Sequence, residues 1–154
     1  MKLTDQQVSL RYNYKISSLL LHKHPNKDHD PMTYQQAEGI DPIDVARLAL
    51  LRDFVPPAEL RSILEEASSS LAREIDLMRA LQLASSWRAL RAAAHRIRGS
   101  MAGLGCERLA GALAEFEAKL AAGSVCNSDR QYLDQIEHLA IECVNALKAQ
   151  ADLT

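Results

Sequence analysis

A chain of 154 residues is long enough for one domain with a real core and too short for two ordinary ones. Its composition, 47% hydrophobic and 25% charged with few aromatics, is that of a globular chain. A formal net charge of −2 excludes bulk attraction to nucleic acid or to an anionic membrane surface.

No uninterrupted apolar run approaches the ~20 residues of a membrane span, so no membrane insertion is expected. Met1 to Leu10 alternates polar and apolar residues, and Ser17 to Leu21 is too short for the apolar region of a signal peptide. Cys106, Cys126 and Cys143 are odd in number, widely spaced and without a C-x-x-C pair. They read as reduced thiols of a cytoplasmic protein rather than as a disulfide framework or a zinc site.

Residues 1–39 read as an N-terminal extension. Leu3 to Leu21 has the pattern of a marginal helix, and the polar stretch from His22 to Gly39 that of a linker. His22, His24 and His29 lie in a lysine-interleaved stretch with no cysteine, so they are taken as solvated side chains rather than metal ligands.

Residues 40–150 read as helix throughout. Asp41-Pro42-Ile43-Asp44 has the form of a helix start, with Asp41 as cap, Pro42 at the first helical position and Asp44 favourable to the helix dipole. This first helix is expected to run to Phe54 and to pack through Val45, Leu48, Leu50 and Leu51. Pro56-Pro57 breaks it and opens the second. There Leu60, Ile63, Leu64, Ala67, Leu71, Ile75, Met78 and Leu81 recur at three- and four-residue steps, forming one apolar stripe.

Ser85 or Ser86 is expected to cap the third helix, which ends near Gly103 to Gly105. The fourth starts about Cys106, carries Leu109, Leu113, Phe116 and Leu120, and closes at Gly123. Ser128 with Gln131 resembles a capping box for the fifth, where Leu133, Ile136, Ala140, Cys143 and Leu147 face one way. Short connections between long amphipathic helices predict an all-α fold: an antiparallel up-and-down four-helix bundle with an additional N-terminal helix.

The chemistry concentrates in the third helix. On a wheel of about 100° per residue, Leu90, Ala93, Ala94, Ile97, Met101 and Leu104 share the apolar face. Arg88, Arg91, His95, Arg98, Gly99 and Ala102 share the other, so His95 is predicted to stand on the solvent side. Ser85 to Cys106 contains four arginines and no Asp or Glu. Arg91 and Arg98 stand one turn either side of His95. Guanidinium groups suit phosphate oxygens, and their charge favours a neutral, nucleophilic imidazole. Glycine inside a helix costs up to ~1 kcal/mol against alanine, so Gly99, one turn after His95, wants a reason. Room for a partner surface to reach the ring is one. An arginine stripe is also the ordinary pattern of a solvated face.

The run His95-Arg96-Ile97-Arg98-Gly99-Ser100, with Gly105 beyond it, resembles the histidine-containing phosphotransfer domain family. That pattern is His, any residue, Leu or Ile, Lys or Arg, Gly, then Ser or Ala, with a second glycine ten residues after the histidine. The resemblance spans roughly Asp41 to Leu147. It implies that His95 accepts a phosphoryl group from an aspartyl phosphate on a response-regulator receiver domain and passes it to another receiver. It further implies that Arg98 steadies the phosphoryl oxygens and that Gly99 clears space for the receiver. Arg88, Arg91 and Ala102 complete the expected partner-binding face. Arg98 stands where the family usually has lysine, which keeps the charge and changes the donor geometry. Met101 stands where small residues are common.

The implied partners are receiver domains and a hybrid sensor kinase. The chain is expected to carry no cofactor of its own, the Mg²⁺ of the reaction coming with the receiver. Gly103-Leu104-Gly105 lacks the trailing Lys-Ser/Thr and the preceding strand of a P-loop, so phosphate is expected to be carried rather than made from ATP. Two other readings compete. One is a helical adaptor that binds a receiver without phosphotransfer. The other is a metal or redox bundle, which would want inward-facing Glu-x-x-His pairs, whereas Glu137 and His138 are adjacent.

Overall fold

The computed structural model describes residues 41–126 and 129–154. The marginal helix and linker expected over residues 3–39 lie outside the described residues. The described residues form five helices in order: α1 Val45–Phe54, α2 Pro57–Leu83, α3 Trp87–Gly103, α4 Glu107–Ala121 and α5 Arg130–Asp152. No strand occurs among the described residues.

The helices share one apolar core. α2 contributes Leu60, Leu64, Ala67, Leu71, Ile75 and Met78, all buried. At 1.5 Å per residue this helix is about 40 Å long. It packs against α3 and α5, and α4 packs against the same two helices. Ser68, in the weak triple-serine patch, is buried without penalty because its hydroxyl donates to the Leu64 carbonyl at 2.7 Å. Arg79 reaches from α2 to two acids of α5, Asp134 at 2.9 Å and Glu137. Those two hydrogen bonds, Glu137's first, raise its pKa above the ordinary guanidinium value.

α1 starts later than the sequence suggests. Asp41 and Pro42 precede the helix, and Asp44 is the cap, its Oδ1 accepting from the Arg47 amide at 3.2 Å. The reason is tertiary. Ile43 is buried, and the Asp44 amide donates to the Gly105 carbonyl at 2.9 Å, which fixes the chain in an extended turn before it can coil. Val45 and Leu50, expected to pack, are instead 47% and 60% exposed, while Leu48 and Leu51 are buried. A ten-residue helix lying on one side of a bundle has a single inner face, and two of its four large aliphatics occupy it.

Three connections end in the same way. After α2, α3 and α4 a residue in the left-handed region closes a six-to-one hydrogen bond onto the helix: Ser86 to Leu81, Cys106 to Met101, and Ser124 to Lys119. The left-handed residues are Ser85 at φ 55°, Gly105 at 82° and Gly123 at 66°. Ser85 is thus the end of α2 and not the cap of α3; Ser86 takes the cap position without a side-chain cap bond. Since a left-handed L-residue costs about 1–2 kcal/mol and glycine avoids it, Ser85→Gly is expected to stabilise the fold by about 0.5–1 kcal/mol. Urea unfolding checks this, and an unchanged or lower midpoint would contradict it.

At α5 the expected Ser128–Gln131 capping box gives way to Asp129 at the cap position, with Ser128 outside the described residues. The Asp129 carboxylate turns back and accepts from the Cys126 amide at 2.9 Å and its thiol at 3.2 Å. Those bonds hold its pKa below the usual carboxylate value. All three cysteines are free thiols. Cys106 and Cys143 are buried, and the hydrogen bond between them, reinforced by burial, pushes Cys106 up.

Candidate functional site

His95 lies near the middle of α3, with its side chain 68% exposed. Leu90, Ala93, Ala94, Ile97 and Met101 turn inward and are buried, which forces the opposite face of α3 to solvent. On that face Arg88, Arg91, His95 and Gly99 are exposed, and Arg98 and Ala102 are half-buried. A shallow open hollow lined by Ser85, Ser86, Trp87, Arg88, Ala89 and Ala92 adjoins its N-terminal end.

The two glycines of the motif do different work. A Cβ built on Gly99 meets nothing within 4 Å, so no neighbour in this chain requires glycine there. A Cβ on Gly105 would meet the Asp44 carbonyl oxygen at 3.1 Å and the Asp44 Cβ at 3.2 Å, at a backbone φ of +82°. Gly105 therefore ends α3 and seats α1, and Gly99 leaves an open space one turn from His95.

The side chain that sequence reasoning missed is Glu117 of α4. Its Oε1 and Oε2 lie 3.0 and 3.1 Å from His95 Nδ1, and the carboxylate is only 12% exposed. Arg98 Nη2 is 3.1 Å from the same nitrogen and 3.5 Å from Glu117 Oε2. One nitrogen cannot both donate to Glu117 and accept from Arg98. A carboxylate has no proton to give, and two of its oxygens lie within reach. Nδ1 therefore carries the hydrogen and donates to Glu117, and Arg98 pairs with the carboxylate. In this tautomer Nε2 bears the lone pair. Every polar contact of the ring among the described residues is at Nδ1.

The acid-free surroundings expected from α3 alone are thus corrected. Glu117 supplies a carboxylate at His95, and Glu74 of α2 takes Arg96 at 2.6 Å. Neither acid is visible within Ser85–Cys106, because each arrives from a neighbouring helix. The signal that could have found Glu117 is its place in the α3–α4 hairpin. It stands twelve residues beyond Gly105, and His95 stands ten before it. Two helices joined by a short turn bring positions at similar distances from that turn together.

The remaining described histidine, His138, has Nε2 3.3 Å from Glu142, whose other oxygen accepts from Arg108 at 3.0 Å, while Glu137 turns to Arg79. Among the described residues no group of three His, Cys, Asp or Glu side chains is placed to hold a metal ion. None of their helices is long and apolar enough to cross a membrane. Comparison with protein-family models, with curated proteins and with solved structures gives no match for this chain.

Proposed function

We propose that the chain is a phosphorelay intermediate in which His95 accepts a phosphoryl group from a receiver-domain aspartyl phosphate and passes it to a second receiver aspartate. The single observation that carries this reading is an exposed imidazole whose Nδ1 is bound by Glu117, leaving the Nε2 lone pair for attack. The fold belonging to this reading is an up-and-down four-helix bundle of α2 to α5, with α1 as the additional helix. Its support is the closed set of contacts α2–α3, α3–α4, α4–α5 and α2–α5.

An aspartyl phosphate is a reactive acyl phosphate, so the acceptor needs position more than strength. Nε2 approaches phosphorus in line with the departing carboxylate oxygen, and charge spreads over the equatorial oxygens. The receiver would supply the Mg²⁺ that neutralises that charge. Arg88 and Arg91, exposed on the same face, would meet acidic side chains of the receiver in this reading. Arg98 holds Glu117 in the free protein and is the nearest guanidinium to the ring. A hybrid sensor kinase would supply the first receiver, and the reaction would take place in the cytoplasm.

The test is transfer from a receiver phosphorylated in the presence of Mg²⁺, followed as acid-labile, alkali-stable phosphate on this chain. Arg98→Ala is expected to slow transfer more than it lowers stability; equal thermal and kinetic damage would count against a direct role. Receiver binding without any movement of phosphate would favour the adaptor reading.

Gly99 gives a second lever. A leucine placed there enters open space in the free protein and intrudes on the partner in the complex. Overpacking of that kind costs about 1–3 kcal/mol, or about 5- to 150-fold in transfer efficiency. Gly99→Leu is therefore expected to melt no lower than wild type while transferring at least about fivefold more slowly. Wild-type transfer by this variant would show that the space is incidental.

A further inference from the structure

Glu117 is the one carboxylate that the described residues place against the imidazole, and it touches the nitrogen that does not react. Resting on the reading of His95 as phosphoacceptor, we infer that Glu117 is a positioning residue that keeps Nδ1 protonated after Nε2 is phosphorylated. The phosphohistidine is thereby a fast donor rather than a store.

In the forward step the Nε2 lone pair forms the N–P bond. The P–O bond to the acyl oxygen breaks, and its electron pair leaves on the receiver carboxylate. The Nδ1 proton stays on the ring, which becomes a phosphoimidazolium. Its positive charge then faces Glu117 from α4, with Arg91 and Arg98 of α3 opposing. Contact and burial decide the balance. Glu117 brings both oxygens to 3.0 and 3.1 Å of Nδ1 and is 12% exposed; Arg98, also 3.1 Å from Nδ1, is itself paired with Glu117 at 3.5 Å, and Arg91 is solvated.

In the onward step a carboxylate or water oxygen attacks phosphorus, the N–P bond breaks, and its electron pair returns to Nε2. With Nδ1 protonated the leaving group is neutral imidazole; with Nδ1 bare it is imidazolate, a far stronger base and a far poorer leaving group. A carboxylate on Nδ1 thus extends to higher pH the range in which the phosphohistidine is labile.

The experiment phosphorylates the full chain with phosphoramidate, which needs no receiver, and follows loss of phosphate from pH 5 to 9 by phosphorus NMR. Wild type, Glu117→Gln, Glu117→Asp and His95→Gln are compared, with circular dichroism as the folding control. Wild type is expected to carry the phosphate on Nε2. In Glu117→Gln the pH at which phosphate loss slows is expected to fall by about one unit or more, the size of shift a paired opposite charge produces. Its phosphohistidine then persists roughly tenfold longer on the alkaline side. Glu117→Asp restores part of the wild-type profile. Superimposable profiles for wild type and Glu117→Gln, phosphate on Nδ1, or no labelling of His95 would overturn the inference. If the expected profiles appear but no receiver donates phosphate, the role of Glu117 stands and the relay reading falls.

Discussion

Replacing His95 by glutamine is expected to abolish phosphoryl acceptance while leaving stability within about 0.5 kcal/mol of wild type, the usual range for an exposed site. The two effects separate because the side chain is 68% exposed and the side chains beside its Nδ1 are Glu117 and Arg98, which remain paired with each other. Glutamine keeps a polar group of similar reach beside Glu117 but offers no nitrogen lone pair to phosphorus. Thermal melts and labelled-phosphate transfer on the same preparations check both halves. Residual labelling in His95→Gln would place the acceptor elsewhere, and a large loss of stability would show that His95 holds the bundle together.

Phe116→Ala carries the largest expected structural effect. The ring is 1% exposed, and its centroid stands 6.2 Å from that of Tyr132, so it links α4 to α5 inside the core. Removing a buried phenyl group costs about 3–5 kcal/mol in transfer and cavity terms. For a domain of this size that lowers the melting midpoint on the order of 10–20 °C. Leu50→Ala is the matched control: this leucine is 60% exposed, and its loss is expected to change stability by no more than about 0.5 kcal/mol. Similar melting losses in the two variants would contradict the assignment of inner and outer faces.

Those two residues also show what the sequence made legible. Where a helix is long, the apolar stripe is repeated often enough to fix the inner face. Leu60, Leu64, Ala67, Leu71, Ile75 and Met78 are all buried, with Ile63 and Leu81 half-buried against the same core, and so are Leu133, Ile136, Ala140, Cys143 and Leu147. The ten residues of α1 carry apolar side chains around most of the circumference, so periodicity could not choose Leu48 and Leu51 over Val45 and Leu50. Helix ends failed for a different reason. Ser85 and Ser86 have the same cap chemistry, and only the left-handed backbone of Ser85 assigns it to the end of α2. Asp41 lost the cap position to Asp44 because a tertiary hydrogen bond to Gly105 fixed the turn.

The site divides along the same line. The outward placement of His95 follows from α3 alone, since its burial pattern is local. The contact with Glu117 does not, because it spans 22 residues and depends on how α3 lies against α4. The arginines were visible as a run, but which of them is neutralised was not: Glu74 claims Arg96 and Glu117 claims Arg98 from other helices.

The most direct measurement is the position of the phosphate after transfer from a phosphorylated receiver to ¹⁵N-histidine-labelled protein, read from the coupling of phosphorus to the ring nitrogens. A single phosphohistidine at Nε2 of His95 is expected, absent in His95→Gln. Phosphate on Nδ1, on His138 or on any non-histidine side chain, or no transfer from any receiver tested, would contradict the assignment of His95 as the relay residue.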